Sequence, residues 1–314
     1  MTSYILRRLF MLVPVLFGVS IFIFLMMRVV PGDVAQTILG TDATPESLET
    51  LRNEFGLNDS YIKQYMNWMG GVLTGDFGES MRNGRDVFPE ILSRFTLTFE
   101  LTILAAIISW LISIPLGLLA AVKRNSATDI TVRTISLLGV SIPNFAFATV
   151  LILILALFFN YSPPIGYVGL FEDPMKNLEI MLIPALVLGT TMAAAVMRMT
   201  RSTVLEVLRQ DFIRTIRAKG AKERVTILNH ALRNALIPIL TIIGMQIGTL
   251  LGGAVIIEQI FSLPGLGQYV LTGITQRDLT VVQGSVLFIS FVFVMVNLIV
   301  DILYAYLDPR INYK

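Results

Sequence analysis

Six long stretches of this chain carry no charged side chain: Leu9–Met27, Leu101–Val122, Thr134–Phe159, Ile180–Met197, Asn234–Ile257 and Leu279–Val300. A helix that crosses about 30 Å of hydrocarbon needs roughly 20 apolar residues, and each stretch meets or approaches that length. Charged residues make up only 15% of the 314 residues, against about 25% in an ordinary soluble domain. Too few are present to cover a water-facing surface. The pattern specifies an all-α, polytopic membrane protein with six transmembrane helices. Arg7 and Arg8 precede the first stretch as they would precede a secretion signal. The apolar run is too long for that and no small-residue cleavage site follows before Arg28, so it reads as a retained span. The third stretch stays uncharged to Phe171, but Asn160, Ser162, Pro163 and Pro164 should stop its helix near Asn160.

Loop charges orient these spans. Between the fourth and fifth lie Arg198, Arg201, Arg209, Arg214, Arg217, Lys219, Lys222, Arg224 and Arg233, opposed by Glu206, Asp211 and Glu223. The loop between the second and third adds Lys123, Arg124 and Arg133, whereas the loops after spans three and five hold only Lys176 and Arg277. With six crossings, both basic loops, Arg7 and Arg8, Arg310 and Lys314 share one side, so the cytoplasm holds both termini. Residues 31–94 then form an extracytoplasmic loop between a first helix (1–30) and a five-helix core (95–307), with a short tail (308–314). In that loop Thr44 should cap a helix from Pro45, and Tyr61, Tyr65, Trp68 and Met69 recur at helical spacing. They suit a packed subdomain or a contact for an outside partner.

Several chemistries are missing. No phosphate-binding G-x-x-x-x-G-K-[ST] loop, H-E-x-x-H zinc motif or G-x-S-x-G elbow occurs, cysteine is absent, and His230 is the single histidine. No cofactor or metal site is expected. Glu100, Glu258 and Asp301 fall at span ends, where water or headgroups should reach them, so neither an intramembrane protease nor a proton-coupled carrier is suggested. The mild mid-span polarity of Ser141, Asn144, Thr190, Thr191, Gln246, Thr249 and Asn297 fits helix–helix contacts. Ser141, Asn144, Gln246, Thr249 and Asn297 are the candidates for a permissive substrate pathway.

The stretch from Arg201 to Pro238 is the most informative. Val204, Leu205, Leu208, Phe212, Ile213 and Ile216 give one amphipathic helix, and Gly220 after Arg217-Ala218-Lys219 should end it. Val225, Ile227, Leu228, Ala231 and Leu232 then lead into span five. A helix lying on anionic lipid, a nucleic-acid-binding helix-turn-helix and a docking element for a cytoplasmic protein all fit this pattern, although a tether between two spans disfavours nucleic acid.

Arg214-Thr215-Ile216-Arg217-Ala218-Lys219-Gly220 and His230-Ala231-Leu232-Arg233-Asn234-Ala235-Leu236-Ile237-Pro238 resemble the coupling loop of ABC importer permeases, in particular the dipeptide/oligopeptide/nickel branch. The likeness extends to Tyr4-Ile5-Leu6-Arg7-Arg8, Pro31-Gly32-Asp33, Phe55-Gly56-Leu57, Gly75-Asp76-Phe77-Gly78-Glu79-Ser80, Thr98-Phe99-Glu100-Leu101, Glu258 through Gly267 and Leu307-Asp308-Pro309-Arg310. Of the general coupling motif only Gly220 is kept. Arg214, Thr215 and Ile216 replace its E-A-A, and His230 and Arg233 stand at its isoleucine and proline, a departure associated with the peptide branch. Ser60 stands where that branch has proline.

The resemblance implies a type I importer fold with a cytoplasmic coupling helix, in a bacterial or archaeal cell membrane. It implies a second homologous permease, two ATPase subunits that hold ATP and magnesium, and an outer substrate-binding protein. Peptides are the expected cargo, with nickel or another small solute as the alternative; a secondary transporter acting alone is the rival class. Coupling would fall to Ile213, Arg214, Thr215, Arg217, Ala218, Lys219, Gly220, Ala221 and Arg224 within the loop 198–235. Arg214, Arg217, Lys219 and Arg224 would pair with acidic groups of the ATPase. Glu258, Phe261, Pro264 and Gly265 would form an outer gate or receptor contact.

Overall fold

The computed structural model describes residues 2–29 and 32–307. Readings that involve Pro31, Asp308-Pro309-Arg310 and Lys314 lie outside them, as do the side chains of Tyr4 to Arg8. Most of the described residues are helical: α1 (Thr2–Val29), α2 (Val34–Leu39), α3 (Pro45–Glu54), α4 (Tyr61–Thr74), α5 (Val87–Val122), α6 (Ala127–Ser141), α7 (Asn144–Phe159), α8 (Pro174–Leu208), α9 (Asp211–Ala218), α10 (Glu223–Val225), α11 (Arg233–Gly253), α12 (Val255–Ile260), α13 (Leu266–Gln276) and α14 (Leu279–Leu307). A π-helical stretch, Thr226–Leu232, joins α10 to α11. No strand occurs among the described residues, only an isolated bridge between Glu79 and Asp86.

Five of these helices are long and apolar enough to cross a membrane, or six if one bent pair counts as a span. That pair corrects the third expected span. Thr134–Phe159 is not one rod: α6 and α7 meet at 102° across Ile142 and Pro143. Pro143 has no amide hydrogen, and the residue before a proline is driven out of the helical region, so the break falls where the sequence forces it. Asn160 takes a left-handed conformation and ends α7, as expected. The fourth span is longer than its uncharged core, running unbroken for 35 residues from the Asp173 cap and Pro174 to Leu208. α5 likewise begins at Val87, inside the stretch read as loop.

The chain forms two compact units. The first comprises Phe99–Leu263 and the described part of Met295–Lys314. At its centre is α8, with 67% of its apolar window buried. Its packing follows from small residues. A Cβ on Gly189 would stand 2.8 Å from the Ala105 carbonyl, and one on Gly117 would stand 2.7 Å from the Met197 carbonyl. Such close backbone approach is how membrane helices gain contact when lipid offers no hydrophobic drive. The order of these contacts makes α8 parallel to α5. The Asp129–Arg201, Ser136–Met197 and Gly139–Ala194 contacts make it antiparallel to α6. Alternate spans must run parallel in a chain that crosses repeatedly, and the register of α5, α6 and α8 has that alternation.

The second unit comprises Thr2–Thr98 and Pro264–Val294. Here the loop's helix α4 packs against the first helix. It runs antiparallel along α1: Arg28 donates to the Gln64 side chain at 2.5 Å, the Tyr65 hydroxyl meets Ser20 at 2.8 Å, and the Phe24 and Tyr65 rings lie 5.2 Å apart. The Thr44 cap of α3 forms as expected, in a reciprocal pair with Ser47. Ser60, at the position of an expected proline, is the N-cap of α4 and accepts from the Lys63 amide. The segment Gly75–Ser80 packs on the start of α14. The Ser80 hydroxyl donates to the buried Asp278 carboxylate at 2.5 Å, and the Gly78 Cα faces the Thr280 methyl.

Candidate functional site

The Arg201–Pro238 segment folds as a helix, a turn and a second helix, with one correction: Arg209 and Gln210 break the amphipathic series. Val204, Leu205 and Leu208 end α8, and Phe212, Ile213 and Ile216 belong to the separate α9. Ile213 is fully buried, in a cluster with Val204, Val207, Ala231 and Ala235. It pins a short, otherwise exposed helix against the end of α8 and the π-helical stretch. Arg214, Thr215, Arg217, Ala218, Lys219 and Arg224 are all exposed, and Ala221 is half-buried.

Gly220 has φ +81, donates to the Arg217 carbonyl at 2.9 Å, and is followed by Ala221 donating to the Ile216 carbonyl at 3.4 Å. These two bonds form a Schellman cap, which requires a left-handed residue after the last helical turn. A Cβ here would meet nothing within 4 Å of this chain, so the backbone conformation, not crowding, selects glycine.

Arg217 already has a partner within this chain. Its guanidinium grips Glu223 across the Gly220 turn at 2.5 and 3.0 Å, which holds it still more firmly protonated. Arg214 lies 3.5 Å from Asp211 in a highly exposed pair, an arrangement worth little energy.

Sequence reading missed what fixes this element to the neighbouring loop. Arg201 holds Asp129 through both arms, at 2.5 and 2.8 Å, and the carboxylate is entirely buried. The signal was available: Asp129 is the one acid between Lys123 and Arg133. The contact gathers both basic loops at one end of the first unit. In the loop after α7, burial and the Glu100 carboxylate 2.8 Å away push the Tyr167 phenol well above its usual range.

The pathway candidates are dispersed. Ser141 and Asn144 are exposed and flank the α6–α7 bend. On α11, Gln246 donates to the Met192 carbonyl of α8 at 3.2 Å, tying two helices together, and exposed Thr249 bonds back to Met245. Asn297 is half-buried on α14. Glu258 is wholly buried on α12 and Phe261 nearly so; neither reaches solvent, contrary to the expectation that Glu258 lies at an open span end. Gly265 is buried and Pro264 half-buried. Glu258 is fully buried, and its helix α12 packs on α7, so its surroundings are protein.

Residues 113–313 match the family described as binding-protein-dependent transport system inner membrane component, and residues 1–102 match the N-terminal family of the same membrane components. The chain is 41% identical, over the full length of both, to the dipeptide transport system permease protein DppB of Alkalihalophilus pseudofirmus, and 39% identical over both full lengths to DppB of Escherichia coli K12. A putative peptide transport system permease of Brucella suis is also 41% identical over both full lengths. Among solved structures, an inward-facing MetNI methionine ABC transporter chain matches with a TM-score of 0.57 at 20% identity, over 69% of this chain and 96% of that one, which speaks to the fold. The crossings, the α9 turn and these matches agree: the chain belongs to the binding-protein-dependent transport family, as a multi-pass permease component of an ABC importer.

Proposed function

We propose that the chain forms half of the translocation pathway for di- or oligopeptides, beside a second homologous permease, above two cytoplasmic ATPases and below an outer substrate-binding protein. ATP hydrolysis and its cofactors belong to the ATPases. The names of full-length relatives support a peptide cargo. The basic loops gathered by Asp129 and Arg201 support a cytoplasmic face that also holds both termini.

One observation carries the coupling assignment: α9 is anchored through Ile213, presents its remaining face outward, and is closed by a rigid glycine cap. ATP-driven closure of the ATPases would move this helix as a unit. The buried Ile213 and the end of α8 would carry the displacement to the spans. Lys219 and Arg224 remain for acidic groups of the ATPase, while Arg217 stiffens the turn from within.

Gly220→Leu tests this. The variant should insert and assemble, hydrolyse ATP, and lose cargo uptake; uptake equal to the unaltered importer would refute a coupling role for α9.

A further inference from the structure

At the basic end of the first unit, α6 and α8 enclose a cavity of about 400 Å³ whose wall includes Arg133, Arg198 and Arg201. Arg201 is committed to Asp129. Three guanidiniums against one carboxylate leave two positive charges, those of Arg133 and Arg198, both on exposed side chains. Their depth is set by the sequence: Arg133 is the last charged residue before the uncharged run that starts at Thr134, and Arg198 is the first after the run that ends at Met197. Both therefore sit at the boundary between hydrocarbon and headgroups. One turn deeper on α6 the wall turns apolar, with Leu137 63% exposed.

We infer that this cavity is a binding site for an anionic phospholipid, with the phosphodiester between Arg133 and Arg198 and an acyl chain against Leu137. A planar guanidinium matches phosphate oxygens in a fork, and a basic recess between spans is the chemistry that selects acidic headgroups. A soluble anion would use the arginines but not the apolar wall. A water-soluble partner would not reach the depth of Leu137. The occupant also bears on the transport element, because Arg198 lies one turn before Arg201 on α8 and the Asp129 latch forms one side of the recess.

The test is native mass spectrometry of the intact importer, purified through a tag on this chain, delipidated and titrated with phosphatidylglycerol or with phosphatidylcholine of the same acyl chains. The unaltered protein should retain phosphatidylglycerol selectively. Arg133→Gln with Arg198→Gln should weaken that retention about thirtyfold, at about fivefold for each cation near the surface, and leave phosphatidylcholine unchanged. Lys123→Gln with Arg124→Gln removes two charges from the same loop outside the cavity and should have no effect. If the arginine pair prevents assembly, Leu137→Trp, which fills the apolar wall and touches no charge, should displace the lipid. Equal retention of the two lipids overturns the proposal, as does unchanged retention in the double variant or in Leu137→Trp. Inorganic phosphate that abolishes lipid retention at equal concentration would reassign the site to a soluble anion.

Discussion

Arg201 and Asp129, 72 positions apart in sequence, form a two-armed ion pair in which the carboxylate is fully buried and the arginine side chain is only 20% exposed. The acid also accepts from the Asn125 amide at 2.9 Å, so it closes the basic loop as well as joining α6 to α8.

Removal of the cation should be the more damaging change. Arg201→Ala strands a buried charge, at a cost of about 3 kcal/mol, whereas Asp129→Asn leaves an arginine that water can reach. Thermal unfolding in detergent should therefore show a larger drop for Arg201→Ala than for Asp129→Asn. Equal shifts would count against a buried latch.

The Gly220 cap predicts a graded series. A left-handed residue costs an ordinary side chain about 1–2 kcal/mol, and asparagine less. Uptake by the assembled importer should fall in the order Asn, Ala, Val at this position, with ATP hydrolysis persisting throughout. An alanine variant better than asparagine would mean that space, not conformation, is decisive.

Ile213 anchors α9, and truncating a fully buried isoleucine to alanine costs about 2–5 kcal/mol. Ile213→Ala should loosen α9 locally, visible as faster amide exchange across Asp211–Ala218, and should lower uptake more than Ile216→Ala at the half-buried position beside it. Unchanged exchange would show that α9 is held by other contacts.

Two glycines make a paired control. Gly189→Ala drives a methyl to 2.8 Å from the Ala105 backbone, which has nowhere to go, whereas Gly18→Ala meets nothing within 4 Å. The first should lower the unfolding temperature and the second should not. Equal behaviour would remove the tight α5–α8 crossing from the account of the fold.

The Ser80–Asp278 bond fixes the segment Gly75–Ser80 to the cap of α14, where Asp278 also accepts from the Val281 amide. Ser80→Ala removes one buried hydrogen bond, worth about 1–3 kcal/mol when it leaves an acceptor unpaired. Limited proteolysis of the segment around Arg82 should accelerate.

Span positions and helix caps were legible in the sequence because they depend on local properties, such as charge-free length at Leu279–Val300, the Thr44 cap and the glycine after Lys219. The π-helical stretch around His230 was not, because nothing in Thr226–Leu232 distinguishes i→i+5 bonding from an ordinary helix. The burial of Glu258 and the Asp129–Arg201 pair were hidden for a different reason: both depend on which helices meet. That Tyr65 and Trp68 pack along α1 was hidden in the same way, since the polar sequence around them does not reveal which helix α4 meets. Pro143 did carry the signal for the bend, but the unbroken hydropathy across it masked the break.

That bend has a further consequence. Where α6 stops and α7 starts, the last carbonyls of one and the first amides of the other have no helical partners, and Pro143 supplies no side-chain cap. Bare peptide groups at that depth are tolerated only inside protein or beside water. Ser141 and Asn144 then matter less for their side chains than for the main chain exposed between them. In the proposed pathway, a border of peptide bonds would meet cargo on the feature that every peptide shares, and would leave discrimination to whatever delivers it.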